Sequence, residues 1–464
     1  MFRRRWSGLP ADPVFPADLS ELGYFINEDD EIRSLENADY YFKYFLTKNE
    51  RYNGRQRFAF NEAMSKIIHT RLNALNLVPL RLPLGTNPDQ PHVPIRITPD
   101  LPKHSRVVLI IGEETQQFGV LAHRVLGGKG GITQGSVLNL VRALQSQPSS
   151  ATDPSPPGII IANPGELFWW PEGKRGLTPS ERHDIPLASA VHYGRVYDKT
   201  KNGIPKNLNC GEHVECVFEE VVEKLVGRGA KVDVIAVGNS AEEVEGYLND
   251  EGVWGRVGQK MGAMVVLGGF YHSGGFRCEG FRRFMQERAR AYAIHQTPLD
   301  NPIAGSLGNP AAVGFTSFGC PAYSAGEANM TELMLIEAHD SVLKWLEKVA
   351  LEGEAYKNED VQIFGDDDGA IPEDMLHGWG EGGENGEENV EEVEVKVEAG
   401  EIPALQDVKV DGGNTPKKEV AATVSNESSP GSSQDSKVAA AEKEDEENVV
   451  LKVKDLKVTV EDEE

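Results

Sequence analysis

Apolar residues along this chain fall into short runs that alternate with stretches of helical spacing. The clearest case is residues 231–249, KVDVIAVGNSAEEVEGYLN, in which five of the six residues 232–237 are apolar and AEEVEGYL has helical spacing. A short apolar run bounded by glycine turn signals is typical of a buried strand in a parallel sheet. This stretch is therefore predicted to form a strand, a sharp turn and a helix.

The same alternation recurs along most of the chain. Core strands are predicted over residues 106–112, 158–163, 263–270 and 291–296, and amphipathic helices over residues 214–226, 276–291 and 330–351. Strands that alternate with helices predict the α/β class, here an α/β-hydrolase-like, mostly parallel sheet with helices on both faces. Ligand sites in such folds lie at the carboxyl ends of the strands.

Charge is distributed unevenly and divides the chain in two. The formal net charge of the 464 residues is −26, and residues 353–464, with 32 acidic and 10 basic side chains, contribute −22 of it. This segment is low in aromatic residues and rich in Gly, Ser and Glu, so it cannot bury enough apolar surface to offset its ordering entropy. We predict a domain over residues 1–352 and a disordered acidic tail over residues 353–464.

Composition also bears on the cellular compartment of the protein and on whether it binds a metal or cofactor. The four cysteines, Cys210, Cys216, Cys278 and Cys320, lack metal-site spacing and are predicted to be buried thiols in a reducing compartment. We expect neither a metal nor a cofactor. There is no signal peptide and no apolar run of membrane-spanning length, so the protein is expected to be soluble and either nuclear or cytoplasmic.

The turn after the 232–237 strand resembles a nucleophile elbow. Gly238-Asn239-Ser240-Ala241-Glu242 nearly matches G-x-S-x-G, the motif that lifts a serine above the sheet of a hydrolase. Glu242, however, stands where the motif has glycine, and its charge would oppose an oxyanion. Ser240 also begins a capping-box pattern, S-x-x-E, in which its hydroxyl caps the following helix. We favour the structural cap over the nucleophile.

A hydrolase on this fold would also need an acid and a histidine after later strands. Asp300, just beyond the 291–296 strand, is an acceptable acid. The next extended piece is followed by FGCPAYSAGEANM, which contains no histidine, and His339 lies within the final helix. Without a base to activate its hydroxyl, Ser240 is expected to be vestigial, and so is Asp300.

Two adjacent tryptophans precede two basic residues in residues 164–175, PGELFWWPEGKR. Trp169 and Trp170, beside Lys174 and Arg175, are possible binding residues, since aromatic rings next to cations can stack nucleic-acid bases. The alternative interpretation is a segment packed on the core, and we favour it.

Five segments in order resemble the Argonaute-binding Arb-two domain family, in a fungal form. They are FPADLSELGYFINEDDEIR (15–33), VLAHRV (120–125), IANPGELFWWPEGKR (161–175), VDVIAVGNSAEEVE (232–245) and TSFGCPAYSAGE (316–327). The resemblance covers roughly residues 10–352 and implies an α/β-hydrolase-like fold. The family includes a subunit of the fission-yeast Argonaute small-interfering-RNA chaperone complex, and a similar domain ends the fungal class II histone deacetylases.

The resemblance implies a non-catalytic adaptor in RNA-directed heterochromatin formation and gene silencing. Expected partners are Argonaute, a second Argonaute-binding subunit, histones or chromatin, and small RNA held indirectly, in the nucleus. Deacetylation cannot be carried over, because the chain has no zinc-ligand cluster and no room for a deacetylase domain. The alternative function is that of a serine esterase that uses Ser240 and Asp300.

Overall fold

The structure, a computed structural model, describes residues 8–194, 196–269, 273–309, 312, 316–361 and 363. Within them the strands are β1 (Tyr24–Ile26), β2 (Ile32–Ser34), β3 (Val78–Leu82), β4 (Val93–Ile97), β5 (Arg106–Ile111), β6 (Gly158–Ile161), β7 (Phe168–Trp170), β8 (Arg175–Leu177), β9 (Lys231–Val237), β10 (Met261–Leu267), β11 (Ala289–Ala293), β12 (Pro302–Ala304) and β13 (Ala322–Ser324).

The helices of the same residues are α1 (Glu50–Ala74), α2 (His123–Leu126), α3 (Gly131–Gln134), α4 (Leu138–Leu144), α5 (Glu181–Asp184), α6 (Lys199–Asn202), α7 (Cys210–Val217), α8 (Glu223–Leu225), α9 (Asn239–Leu248), α10 (Glu251–Val257), α11 (Glu279–Arg288) and α12 (Met334–Glu352). A π-helical turn, Phe218–Val222, joins α7 to α8. No helix among these combines the length and apolar character needed to cross a membrane.

Nine of the described strands form one sheet, in the order β3-β4-β6-β5-β9-β10-β11-β13-β12. The six strands from β6 to β13 in that order run parallel, and β3, β4 and β12 are antiparallel to their neighbours. The first eight positions reproduce the strand order of the α/β-hydrolase fold. The predicted fold class, a mostly parallel α/β-hydrolase-like sheet, is therefore confirmed.

Helices cover both faces of this sheet, as predicted. On one face α1, α4 and α12 pack over the strands in one apolar cluster, and on the other α7, α9 and α11 form a second cluster. The strands are buried on both sides: every residue of β5 and β10 is buried. Burial on both faces explains why these strands appear in the sequence as continuous apolar runs instead of alternating ones.

A buried ion pair joins the first residue of β5 to the third residue of β9. Arg106 on β5 and Asp233 on β9 are almost fully buried, and Arg106 Nε lies 2.6 Å from Asp233 Oδ2. Burial raises the pKa of Asp233, and the guanidinium of Arg106 opposes that shift. Arg106 Nη1 also donates to the carbonyl of Pro148, so the pair ties two strands to the loop after α4.

The chain continues to pack on the domain beyond the boundary predicted at residue 352. Tyr356 is buried, and its hydroxyl accepts a 2.6 Å hydrogen bond from Trp345 Nε1. Asn358 Nδ2 donates to the carbonyls of Gln286 and Ala289. The predicted start of the tail is therefore too early, because Tyr356 and Asn358 make specific contacts that acidic composition conceals. Residue 362 and the rest of the predicted tail, from 364, lie outside the described residues.

Candidate functional site

A single residue makes the turn between the central strand and its helix. β9 ends at Val237, α9 begins at Asn239, and Gly238 between them has φ 62° and ψ −142°. Side chains are almost excluded from this backbone region, which is why glycine occupies it. In a nucleophile elbow, this strained strand-to-helix turn carries the nucleophile. The residue at the nucleophile position is therefore Gly238, which has no side chain.

Ser240 lies two residues further on, inside the first turn of α9, and is fully buried. Its hydroxyl donates a 2.7 Å hydrogen bond to the carbonyl of Gly112, and its Oγ lies 3.4 Å from Cys210 Sγ. Ser240 is thus not at the apex of the elbow. It does not cap the helix either, since Gly238 is the N-cap residue and the hydroxyl turns to the loop after β5. The capping interpretation of Ser240 is therefore wrong: its hydroxyl ties α9 to the loop after β5.

A carboxylate occupies the space above Gly238. A Cβ built on Gly238 would lie 1.4 Å from Glu113 Oε2, so the Glu113 side chain fills the volume of a nucleophile side chain. Burial and then the neighbouring Glu114 raise the pKa of Glu113, and the backbone N–H of Asn239 opposes this shift by hydrogen bonding to the charged form.

In hydrolases, the oxyanion hole uses the N–H of the residue after the nucleophile and an N–H from the loop after an earlier strand. Here the first of these is Asn239 N–H, and Glu113 belongs to that loop. The chain therefore places its own carboxylate where a hydrolase binds the oxyanion. The sequence motif indicates Ser240 as the apex residue, and it gives no sign that Gly238 holds that position or that Glu113 lies over it.

Asp300 is held by two hydroxyl groups and no described histidine. Tyr292 Oη donates to Asp300 Oδ1 at 3.1 Å and Ser341 Oγ donates to Oδ2 at 2.5 Å. His339, on α12, donates from Nδ1 to the carbonyl of Ile336 at 2.7 Å. The structure does not join Ser240, Asp300 and His339 into a triad.

A cleft of about 410 Å³ opens beside the elbow, at the carboxyl ends of the strands. Its walls come from the loops after β5 and β6, the start of α7, and the side chains of Pro179, Arg182 and Tyr197. Phe168 and Tyr197 contribute aromatic rings whose centroids are 6.1 Å apart, and Glu114 and Arg182 contribute opposite charges. Cys210 lies in the wall and contacts Ser240, which places the cleft next to the elbow.

Glu114 lines the elbow end of this cleft, and the carboxylates of Glu113 and Glu243 lie behind it, over Gly238 and beside Gly211. Burial raises the pKa of the Cys210 thiol to about 12, and the charges of Glu114, Glu243 and Glu113 contribute in the same direction. Burial, Glu114 and Glu242 also raise the pKa of Glu243. Acidic side chains therefore predominate at the elbow end of the cleft, and the Cys210 thiol stays protonated near neutral pH.

A buried histidine positions the strand end that forms one wall of the cleft. His213 on α7 is fully buried, accepts the backbone N–H of Asn163 at Nε2 (3.0 Å), and donates from Nδ1 to Asn207 Oδ1 (2.7 Å). Burial lowers its pKa to about 3. Asn163 follows β6, so this neutral imidazole holds the β6 loop against α7.

We expect His213→Gln to flatten the pH dependence of stability on the acid side. The unfolded chain protonates this imidazole near pH 6.5 and the folded chain only near pH 3, so stability is lost as the pH falls between these values. From pH 7 to pH 5 the wild type should lose about 2 kcal/mol more unfolding free energy than the variant. Urea unfolding at both pH values measures this difference.

The matched control is His104→Gln, whose imidazole is half-buried and hydrogen-bonds the Pro156 carbonyl. Burial and then the charge of Glu181 raise the pKa of Glu166 to about 7, so Glu166 adds stability as the pH falls. This contribution is the same in the wild type and both variants, and it cancels when their stabilities are compared. Equal pH dependence in His213→Gln and wild type would contradict the prediction.

The two tryptophans of the 164–175 segment do not form an exposed platform. Trp169 on β7 is buried, with its ring centroid 5.1 Å from that of His92. Trp170 is half-buried and packs edge-on against Phe58 at 5.7 Å. These contacts agree with the packing interpretation that the sequence favoured.

The two cations beside them are engaged within the chain. Lys174 Nζ lies 2.5 Å from Asp89 Oδ1, and Arg175 Nη2 lies 3.4 Å from Glu62 Oε2. The guanidinium of Arg175 also covers the rings of Phe58 and Trp170, at 5.1 and 5.7 Å. The base-stacking site considered for Trp169, Trp170, Lys174 and Arg175 is therefore not present in this arrangement.

Comparison with known proteins gives one family and distant structural likenesses. A family model described as the Arb2 domain matches residues 15–299. The structure of the histone deacetylase Clr3 is 11% identical with a TM-score of 0.35, covering 62% of this chain and 38% of that chain. The structure of esterase Est22 is 11% identical with a TM-score of 0.26, covering 62% of this chain and 88% of that chain. Comparison with curated proteins found no match.

Proposed function

Because the chain belongs to the Arb2 domain family, we propose that it is a non-catalytic adaptor subunit of a nuclear complex containing Argonaute and small RNA. In this role it acts in heterochromatin formation and gene silencing. The observation that carries the proposal is the family match, which extends from residue 15 through the central sheet, the elbow and the cleft to residue 299. Its direct partners are Argonaute and a second Argonaute-binding subunit, and it contacts small RNA only through them.

The geometry of the elbow supports the non-catalytic part of the proposal. A serine hydrolase needs a nucleophile at the strained turn and N–H groups free to bind an oxyanion. Gly238 supplies no nucleophile, and the Glu113 carboxylate interacts with the Asn239 N–H. Ser240 donates its proton to a backbone carbonyl instead of to a base. A domain with this elbow keeps the hydrolase scaffold for binding.

Purification of the tagged full-length chain from nuclear extract tests the adaptor role. Argonaute and a second Argonaute-binding subunit should come with it, and small RNA should be lost when Argonaute is removed from the extract. The same purification with a variant truncated after residue 363, which keeps the contacts of Tyr356, shows whether Argonaute binds the domain or the residues beyond it. An eluate without Argonaute would overturn the proposal.

A fluorophosphonate probe tests the non-catalytic part separately. The purified chain should not be labelled at concentrations that label an active serine esterase completely, because Ser240 is buried and engaged with Gly112. The esterase alternative, with Ser240 as nucleophile and Asp300 as acid, requires labelling that disappears in Ser240→Ala. Such labelling would establish an enzyme and end the non-catalytic proposal.

A further inference from the structure

Exposed large apolar side chains are concentrated in two segments of the chain. Twelve such residues are exposed within the described ranges, and eight of them fall between residues 35 and 46 or between residues 191 and 197. In the second segment Val191, Tyr193, Val196 and Tyr197, which we call the lip, are exposed; Tyr193 is 100% and Val196 93% accessible. Concentrated exposed apolar surface of this kind marks protein interaction sites.

A buried charged cluster fixes the base of the lip. The carboxylate of Asp12 is buried and pairs with Arg51 at 2.8 Å and Arg55 at 3.0 Å, and it also accepts the backbone N–H of Leu187. Arg51 in turn donates to the carbonyls of Ala190 and His192. The residues just before Tyr193 are therefore tied to α1, which fixes where the lip begins.

The first exposed segment is tied to the same turns of α1. Asn53 Oδ1 accepts the backbone N–H groups of Leu46 and Thr47, two residues along the helix from Arg51. Phe45 and Leu46 are exposed there. Both apolar segments are therefore held at the start of the same helix.

Tyr197 belongs both to the lip and to the wall of the cleft. Behind it lie Phe168 and the negative end formed by Glu113, Glu114 and Glu243, none of which is in an ion pair with a described residue. Arg182 is the cation in the cleft wall, and its Nε donates to the imidazole of His183. Counting Glu113 and Glu243 behind the wall, three carboxylates lie near the elbow end of the cleft against one described guanidinium, beside two aromatic rings.

We propose that the lip and the cleft together dock an extended segment of a partner protein that carries a lysine or arginine flanked by apolar residues. The cation enters the cleft past the Tyr197 ring toward Glu114, where the aromatic rings and the carboxylates both favour positive charge. The flanking apolar residues cover Tyr193 and Val196, whose burial supplies most of the affinity. The proposal rests on the adaptor function and names the chemistry of the partner that this surface takes.

Binding of the full-length chain to immobilised nine-residue peptides tests the site. The peptides carry Lys, Arg, Gln or Glu at the centre, flanked by Leu, Phe or Tyr. Peptides with a central cation should bind at least about tenfold more tightly than the same peptides with Gln. Tyr193→Ala and Val196→Ala should weaken binding of every peptide by about five- to tenfold.

Glu114→Gln isolates the charge. Its amide oxygen can keep the hydrogen bond from Asn239 Nδ2, so the variant should lose the preference for cationic peptides and keep the affinity for Gln-centred ones. Controls are Val14→Ala, an apolar residue 74% exposed elsewhere, and Glu251→Gln at the exposed start of α10. Both should bind like the wild type, and equal thermal unfolding temperatures confirm that all variants fold.

The proposal would be overturned by any of four results: equal binding of Lys-, Gln- and Glu-centred peptides, preference for Glu, tighter binding of single-stranded RNA than of any peptide, or no binding at all. Unchanged binding in Tyr193→Ala would overturn it too. Failure of the adaptor function looks different: cationic peptides bind as expected and no Argonaute co-purifies. Conversely, Argonaute that co-purifies equally with wild type and Tyr193→Ala, together with no peptide binding, removes this site and leaves the adaptor function intact.

Discussion

Asp233→Ala is expected to lower the free energy of unfolding by about 3–5 kcal/mol, because it leaves the Arg106 guanidinium buried without its counter-ion. Arg106 is the first residue of β5 and Asp233 is the third residue of the neighbouring β9. Both are almost fully buried, with Nε and Oδ2 2.6 Å apart. Solvent cannot reach the guanidinium, and the hydrogen bond from Nη1 to the Pro148 carbonyl satisfies only part of it. Urea unfolding of wild type and variant at pH 7 gives the difference.

An exposed pair at the neighbouring turn provides the matched control for this loss. Asp100 and Lys103 are 3.0 Å apart but largely solvent-exposed, so Asp100→Asn should change stability by less than about 1 kcal/mol. Asparagine also tolerates the left-handed backbone of Asp100, with φ 58°. The double variant Arg106→Met/Asp233→Leu should recover most of the loss, since an apolar pair of similar volume removes the buried charge. A loss below 1 kcal/mol in Asp233→Ala would show that water reaches the pair.

Gly238→Ala is expected to destabilise the domain through two separable costs. An alanine at φ 62° and ψ −142° carries backbone strain of about 1–3 kcal/mol. Its Cβ would also overlap Glu113 Oε2 at 1.4 Å, and displacing that half-buried carboxylate costs about 1–3 kcal/mol more. In a Glu113→Ala background the overlap disappears and only the strain remains. Urea unfolding of the four proteins of this cycle gives the coupling between the two sites.

Gly255→Ala in α10 is the control for this cycle, because a Cβ there meets nothing within 4 Å. In a helix interior, alanine replaces glycine with a gain of up to about 1 kcal/mol. If Gly238→Ala costs the same with and without the Glu113 side chain, the carboxylate does not lie over Gly238, and the account of the occupied elbow fails with it.

The position of the elbow could be predicted from the sequence, but its register could not. The apolar run at 232–237 and the helical spacing after it locate the strand, the turn and the helix, and β9 and α9 confirm them. The G-x-S-x-G pattern places the apex at Ser240, because serine is the residue that could act as a nucleophile. The backbone assigns the apex to Gly238, because the turn consists of one residue. Its signal in the sequence is weak: a glycine immediately after the last apolar residue of the strand.

Contacts between distant residues account for the rest of the differences. Glu113 lies over Gly238 although 125 positions separate them, and no local pattern announces that approach. Tyr197 and Phe168 meet across a loop, so the lip and the cleft could not be assembled from composition. Tyr356 and Asn358 sit inside an acidic stretch whose average composition conceals their contacts with Trp345 and Ala289.

The Glu113 carboxylate lies over Gly238 where the carboxylic acid product of an ester hydrolase would lie before its release. Here the carboxylate belongs to the protein itself. A carboxylic acid product leaves a hydrolase by diffusion, whereas the Glu113 carboxylate cannot leave, because Glu113 is part of the chain next to the site. Tethering gives a group an effective concentration in the millimolar range or above, so free carboxylates and transition-state mimics that carry negative charge compete poorly for the Asn239 N–H. Screens built on the usual hydrolase inhibitors will therefore miss this domain, and compounds that mimic a cationic, apolar peptide are the better starting point.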